Sequence, residues 1–414
     1  MFDSICIRRQ NLLGPPIDLG FLAEAMIFYK EVHVVADPGM LTYLVRTLGP
    51  DSLKAALSDG LLKVSFLESL LGVQTITDTK GRQEHRLVSI KSPKTSLEPY
   101  LEAEVTQLTG KRGKSRRKAT GIARLISKMP VAAVEAQASA IDFHDPDFCL
   151  AAAKAVLIHI APGFQLPAAP FFRTNSNGEL FTVETNINIP EASVLHRALI
   201  PDSEPLTEAR ILIDIFNAGT DLRLAARLSS EMAVSPETSA IAQIRLSQVL
   251  YRSRVNEAEL RGFQEWVFED GRAISEAVNS RHRNFDDVLK VAAAARKFKE
   301  WIGTIPEDGN FRREYLRSVH ELDWIDKLPP KSLRWILFTL AGALLGCLPP
   351  PIGGIAVVAS GATDTFLFDN LVKGWKPNQF VQGPLRSFVE GVSNRLEPRL
   401  RLAPGGSSME HSKQ

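Results

Sequence analysis

The sequence predicts an α/β N-terminal domain with a mainly parallel sheet, then a mixed segment, then a mainly α-helical C-terminal domain that contains a proline-centred apolar hairpin. Three observations favour this order. Short β-branched runs alternate with helical patterns over residues 1–100, the regular elements are mixed over residues 101–204, and helical spacing of apolar residues dominates residues 205–400. A polar, glycine-rich stretch at 403–414 predicts a disordered tail.

The N-terminal domain is predicted to contain four strands, at residues 4–7, 32–36, 62–66 and 86–90. Helix starts are signalled by capping residues between these strands. Asp18 precedes an apolar-periodic run, and Asp37 with Pro38 supplies a cap and a first-turn proline. This alternation predicts βαβ units, in which consecutive parallel strands are joined by helices.

The mixed segment is predicted to hold a helix and a β-hairpin. Asp145 caps the helix at 147–160, and the runs 169–174 and 180–185 form the hairpin around Asn177 and Gly178. From Thr207 onward every regular element is predicted to be helical, with caps at Ser235 and Asn284.

A dense basic run lies in the mixed segment. Six basic residues fall within eight positions: Lys111, Arg112, Lys114, Arg116, Arg117 and Lys118. No acidic residue occurs between Glu104 and Glu135. We predict a polybasic loop that binds anionic surfaces, because lipid headgroups and nucleic-acid phosphates both attract such clusters. The alternative is a solvated loop without a partner.

An uncharged apolar stretch lies between Arg334 and Asp364, and Pro349, Pro350 and Pro351 divide it. Neither arm reaches the roughly 20 residues of a membrane-spanning helix, so we predict an apolar hairpin at 333–372. Six residues are predicted to contact a membrane or a partner: Trp335, Ile336, Leu340, Leu344, Ile355 and Val358. Burial inside the helical domain is the alternative interpretation.

Composition excludes some classes of protein. The chain has 414 residues, with 49 Lys and Arg against 47 Asp and Glu, so its formal net charge is +2. This near-neutral balance does not fit a strongly basic nucleic-acid coat, and the 44% hydrophobic content does not fit wholesale disorder. Cys6, Cys149 and Cys347 are far apart and the start lacks a secretory pattern, so we expect a reducing, cytoplasmic compartment, with membrane association left open.

Catalytic, cofactor and metal motifs are incomplete, so no catalytic residue, cofactor or metal site is predicted. A P-loop pattern ending at Ser115 fails because Leu108 stands where glycine is required. Two groups combine a histidine with carboxylates: His144 with Asp145 and Asp147 is typical of a helix start, and His320 with Glu321 and Asp323 of a helix end.

Two functional hypotheses follow. The first is a non-catalytic intracellular interaction protein that associates with an anionic membrane surface or a protein partner through the apolar hairpin and the polybasic loop. The alternative is a nucleic-acid- or nucleotide-binding protein or enzyme that uses the carboxyl ends of the N-terminal strands, with Arg8, Arg9, Asp37 and Lys91 as candidates.

Overall fold

A computed structural model describes residues 2–10, 14–77, 79, 81–91, 96–110, 112–129, 142–177, 180–201, 203–228, 230–245, 247–268, 274–305, 310–311, 314–315, 318 and 375–390. The predicted apolar hairpin at 333–372 and the predicted tail at 403–414 lie outside these residues.

Strands and helices are numbered separately in chain order. The strands are β1 (Ser4–Ile7), β2 (Glu31–Ala36), β3 (Lys63–Leu67), β4 (Ser69–Thr77), β5 (Gln83–Lys91), β6 (Ser127–Met129), β7 (Phe172–Asn177), β8 (Leu180–Thr185) and β9 (Glu231–Ala233). The helices of the first half are α1 (Leu19–Phe28), α2 (Pro38–Leu48), α3 (Pro50–Ser58), α4 (Leu97–Thr109), α5 (Arg112–Ala123), α6 (Pro146–Ile160) and α7 (Ile189–Leu199). Those of the second half are α8 (Glu208–Leu228), α9 (Pro236–Arg245), α10 (Ser247–Val267), α11 (Ile274–Asn279), α12 (Phe285–Ala294), α13 (Arg296–Ile302), α14 (Pro377–Phe380) and α15 (Arg386–Glu390), with a π-helical turn at Val381–Leu385.

Predicted helix caps are observed where the sequence placed them. The side chains of Asp18, Asp37, Asp145 and Asn284 each accept a hydrogen bond from the backbone amide three residues later. Each cap satisfies an amide that has no partner within its helix, which fixes where the helix begins.

In the part of the chain that the structure describes, sheet A consists of five parallel strands in the order β6-β3-β2-β1-β9. It confirms the N-terminal α/β region with a mainly parallel sheet. Three of the four strands predicted for residues 1–100 lie in it, at β1, β2 and β3. Ile5 pairs with Val32, and Val34 pairs with Val64, so apolar side chains form continuous rows across the sheet.

Strand β9 shows that the prediction of only helices after Thr207 was wrong. Its three residues give no periodic signal, and its first residue, Glu231, is charged yet buried. Tyr29 donates a hydrogen bond to Glu231 Oε2 at 2.7 Å, and Asn256 donates one to Oε1. These partners are distant in sequence, so a local pattern could not indicate a buried strand here.

Sheet B is antiparallel, with the order β4-β5-β8-β7. The strand predicted at 86–90 belongs to β5 of this sheet, and therefore does not complete the parallel sheet. Only Glu68 separates β3 from β4, and β4 then pairs with β5 through a short connection, which favours an antiparallel pair. The predicted hairpin is confirmed as β7 and β8.

Among the described residues, two main hydrophobic cores hold the elements together. One joins sheet A and α1–α5 to the helices from α10 onward, and the other lies among sheet B, α6, α7 and α8. In the first core, aromatic contacts join the first 30 residues to residues near position 300. Phe28 packs against Phe298 with ring centroids 6.2 Å apart, and Phe2 packs against Phe311 with centroids 5.6 Å apart. Sheet A is therefore stabilised by residues from both halves of the sequence.

Candidate anionic-surface site

The basic run is helical, so the prediction of a loop was wrong. Arg112, Lys114, Arg116, Arg117 and Lys118 all lie on α5, whereas Lys111 lies outside the described residues. The buried face of α5 consists only of Ser115, Ala119 and Ile122. Their spacing is helical, but two of the three are small or polar, so the apolar periodicity is too weak to indicate a helix.

Helix α5 is fixed on a platform formed by α3 and α4. Ser115 Oγ and Thr109 Oγ1 lie 2.7 Å apart in a hydrogen bond, and Thr120 donates one to Glu98. Lys118 Nζ pairs with Asp51 Oδ2 of α3 at 2.6 Å. Ala119 and Ile122 enter the core that contains sheet A. These contacts use the inner face of the helix and leave its outer face available.

The outer face carries four exposed cations, on Arg112, Lys114, Arg116 and Arg117. In the described part of the chain none of the four forms an ion pair. We call these four residues the basic face of α5. Their positive charges are thus not neutralised by the carboxylates that the structure shows.

Lys54 adds a fifth cation that the sequence analysis missed. It is exposed on α3, and its side chain passes next to the backbone of Gly121 on α5. No signal in the sequence joins Lys54 to the basic run, because the two are brought together only by the packing of α3 against α5.

The arrangement of charges on α5 is unfavourable within the molecule itself. Arg112 and Arg116 stand four residues apart, Lys114 and Arg117 stand three apart, and like charges at these spacings repel across a helix surface. The first turn also places cations at the positive end of the helix dipole and contains no acidic residue. An external anion would relieve both effects.

The four residues of the basic face lie within two turns of α5. Arg112 and Arg117 are five residues apart, which corresponds to about 7.5 Å along a helix axis. The Debye length at physiological ionic strength is about 8 Å. Around the helix Arg112 lies beside Arg116, and Lys114 lies beside Arg117, so the charges act on an approaching anion as two neighbouring pairs.

The second set of candidates, at the carboxyl edge of sheet A, is brought together in part. Arg9 donates two hydrogen bonds to Asp37, with Nε and Oδ2 2.9 Å apart, and Arg8 pairs with Asp221 of α8. Burial raises the pKa of Asp37, but the hydrogen bonds from Arg9 and the Met40 amide outweigh it and hold the pKa below its usual value.

Both arginines are thus neutralised by carboxylates of the protein. Burial raises the pKa of Asp221, and the charge of Arg8 offsets part of that rise. Lys91 lies opposite Ser69 in sheet B, close to the end of β3, and its side chain is outside the described set. The described members of this group therefore do not form a row of unpaired cations that could bind a phosphate.

The six predicted membrane or partner contacts, Trp335, Ile336, Leu340, Leu344, Ile355 and Val358, lie outside the described residues. Among the helices that are described, none combines the length and the apolar composition needed to cross a bilayer. Within the same residues no three histidine, cysteine or carboxylate side chains are grouped so that they could hold a metal ion.

Comparison with known proteins finds no matching protein-family model, curated protein or solved structure.

Proposed function

We propose that this protein is a non-catalytic interaction protein that binds anionic membrane surfaces through the basic face of α5. The observation that carries the proposal is the set of four exposed cations on one anchored helix, without ion pairs in the described part of the chain. Each basic residue near an anionic lipid surface contributes about 1 kcal/mol of attraction, so the four residues together contribute about 4 kcal/mol to the binding free energy.

A membrane is favoured over nucleic acid by two features of the sequence. Helix α5 contains no aromatic residue that could stack on an exposed base. The uncharged stretch between Arg334 and Asp364 offers a second, apolar signal, and stable attachment to membranes requires two signals of this kind.

The proposal is tested by sedimentation of the full chain with vesicles of phosphatidylcholine, with and without phosphatidylserine. We expect the protein to sediment with the anionic vesicles only, and the variant R112Q/K114Q/R116Q/R117Q to remain in the supernatant. A matched control, K63Q/R173Q/K290Q/R386Q, removes four basic residues that already pair with carboxylates. This control has the same net charge as the test variant and should still sediment.

Equal loss of binding in the two variants would show that total charge matters and that the basic face does not. In a second experiment the protein is bound first to double-stranded DNA and then challenged with phosphatidylserine vesicles. If the vesicles do not displace the DNA, nucleic acid is the favoured ligand and the membrane proposal is overturned. Since phosphate contacts are weakened by salt, both ligands are compared at the same ionic strength.

A further inference from the structure

A crevice of about 640 Å³ lies between α1 and α10, beside β1 and β9. Gln10, just after β1, and Val234, just after β9, both line it. At β1 the order of sheet A changes direction, with β2 on one side and β9 on the other. Open parallel sheets bind small molecules at such a point, outside the carboxyl ends of the strands. The volume is also within the range of small-molecule sites.

The lining of the crevice is acidic. The charged residues that the structure describes in it are four carboxylates and one guanidinium: Asp18, Glu24, Glu257, Glu265 and Arg261. Arg261 Nη2 donates a hydrogen bond to Glu257 Oε1 at 2.9 Å, so the one cation among the described lining residues is already paired. A phosphate or a nucleotide would be repelled here, and a cation would be attracted.

Glu24 is held in place by hydrogen bonds from α10 and α11. The Ser275 amide donates to Glu24 Oε1 at 3.0 Å, and the side chain of Gln264 also forms a hydrogen bond with Glu24. Gln264 is itself buried and accepts a hydrogen bond from the Ile274 amide at 3.0 Å. Burial raises the pKa of Glu24 even though these hydrogen bonds lower it. A carboxylate that is fixed and partly removed from water attracts a cation more strongly than a freely solvated one.

The remaining lining includes several apolar side chains. Six of them come from β1, α1, β9, the residue after β9, and α10: Ile5, Phe21, Ala25, Met232, Val234 and Leu260. A simple inorganic cation would leave this apolar surface in contact with water. An aliphatic body would remove it from water while the charged group meets the carboxylates.

We propose that the crevice binds a small organic cation, an amine or guanidine carried on an aliphatic chain. The amine or guanidine faces the carboxylates, and the aliphatic chain covers the apolar lining. This ligand class is opposite in charge to the partner of α5, so the two sites select different ligands. They also lie towards opposite edges of sheet A, since α5 leads into β6 and the crevice lies beside β9.

The test is calorimetric titration of the full chain at pH 7 with three probes of one shape: pentylamine, pentanol and pentanoate. Agmatine, which carries both an amine and a guanidine, is the fourth probe. We expect saturable binding of agmatine and pentylamine, weaker binding of pentanol, and none of pentanoate. Absence of binding by both amines at millimolar concentration, or equal binding of pentanoate and pentylamine, overturns the proposal.

Variants place the binding in the crevice. Glu257→Gln with Glu265→Gln removes two exposed carboxylates without touching the core, and should weaken agmatine by roughly tenfold. The control pair, Glu184→Gln with Glu390→Gln, removes two exposed glutamates that pair with arginines elsewhere and should leave agmatine binding unchanged. An unchanged affinity in the first pair would overturn the proposal.

A further titration distinguishes a small-molecule ligand from the side chain of a protein partner. A short peptide with one arginine and blocked ends offers the same guanidinium on a bulkier body, and we expect agmatine to bind more tightly. Tighter binding of the peptide would overturn the assignment to a small molecule. The basic-face variant of α5 should bind agmatine as the unsubstituted chain does, so failure of one proposal is distinguishable from failure of the other.

Discussion

Arg8 and Arg9 are neighbours in the chain, yet their carboxylate partners differ in burial. The side chain of Asp221, which pairs with Arg8, is 6% exposed, and the side chain of Asp37, which pairs with Arg9, is 16% exposed. Asp37 also accepts a hydrogen bond from the Met40 amide. Loss of the arginine therefore leaves Asp221 with a much less favourable environment than Asp37.

We predict that Arg8→Gln lowers the free energy of unfolding at pH 7 by about 3 kcal/mol, because it leaves a buried, unpaired carboxylate. Arg9→Gln should cost only about 1 kcal/mol. Urea unfolding followed by circular dichroism measures both. The pKa of Asp221 is already raised in the folded chain, and removal of Arg8 raises it further. Protonation then removes the penalty, so the loss in Arg8→Gln should shrink as the pH falls through the raised pKa.

A loss that grows as the pH falls would contradict this account of Asp221, as would a larger loss in Arg9→Gln than in Arg8→Gln. At this scale the sequence was informative only where the interaction is local. It predicted Asp37 as a helix cap, whose amide partner is three residues away. It could not predict the pair of Arg8 with Asp221, which are 213 residues apart.

Among the elements, α5 shows most clearly what sequence patterns detect. Helices with strong caps or wide apolar faces, such as α1, α2, α6 and α12, were predicted because their signals are local. Helix α5 has neither, and depends on Thr109, Asp51 and Glu98 of neighbouring elements. Its basic residues are clustered in the sequence itself, but their helical arrangement and the position of Lys54 beside α5 were not predicted.

We predict that the variant R112Q/K114Q/R116Q/R117Q unfolds thermally at the same temperature as the unsubstituted chain or slightly above it. The substitutions remove repulsion between like charges, which is worth about 0.2–0.5 kcal/mol for each helical pair. They also remove cations from the positive end of the helix dipole. Differential scanning calorimetry measures the unfolding temperature. Low ionic strength is used because salt screens the repulsion between the exposed charges. A clear fall in the unfolding temperature would show that these side chains stabilise the fold.

On the scale of the whole molecule, the first core combines distant parts of the chain. Strand β9 extends sheet A beyond residue 204, and Phe263 and Phe298 join the same core as Ile5 and Phe28. The sequence predicted the α/β region and its parallel sheet. It did not predict that β9 joins this sheet or that Phe263 and Phe298 join its core, because contacts between distant segments leave no local pattern. The predicted domain boundaries at residues 100 and 204 stay predictions.

We predict that a fragment of residues 1–204 does not unfold cooperatively. It lacks β9 and the helices that cover α1, so apolar residues such as Phe28 and Ile5 would be exposed to water. Near-ultraviolet circular dichroism during urea unfolding measures the cooperativity. A sharp transition in the fragment, with the same midpoint as the full chain, would show that the N-terminal half is a self-sufficient domain.

The partition coefficient of the full chain onto phosphatidylserine vesicles tests the central claim most directly, measured for the basic-face variant R112Q/K114Q/R116Q/R117Q and for its charge-matched control. With about 1 kcal/mol lost for each of the four cations, the basic-face variant should bind several hundredfold more weakly, on the order of 10² to 10³. The control should bind like the unsubstituted chain. Equal partition of both variants and the unsubstituted chain would contradict the account.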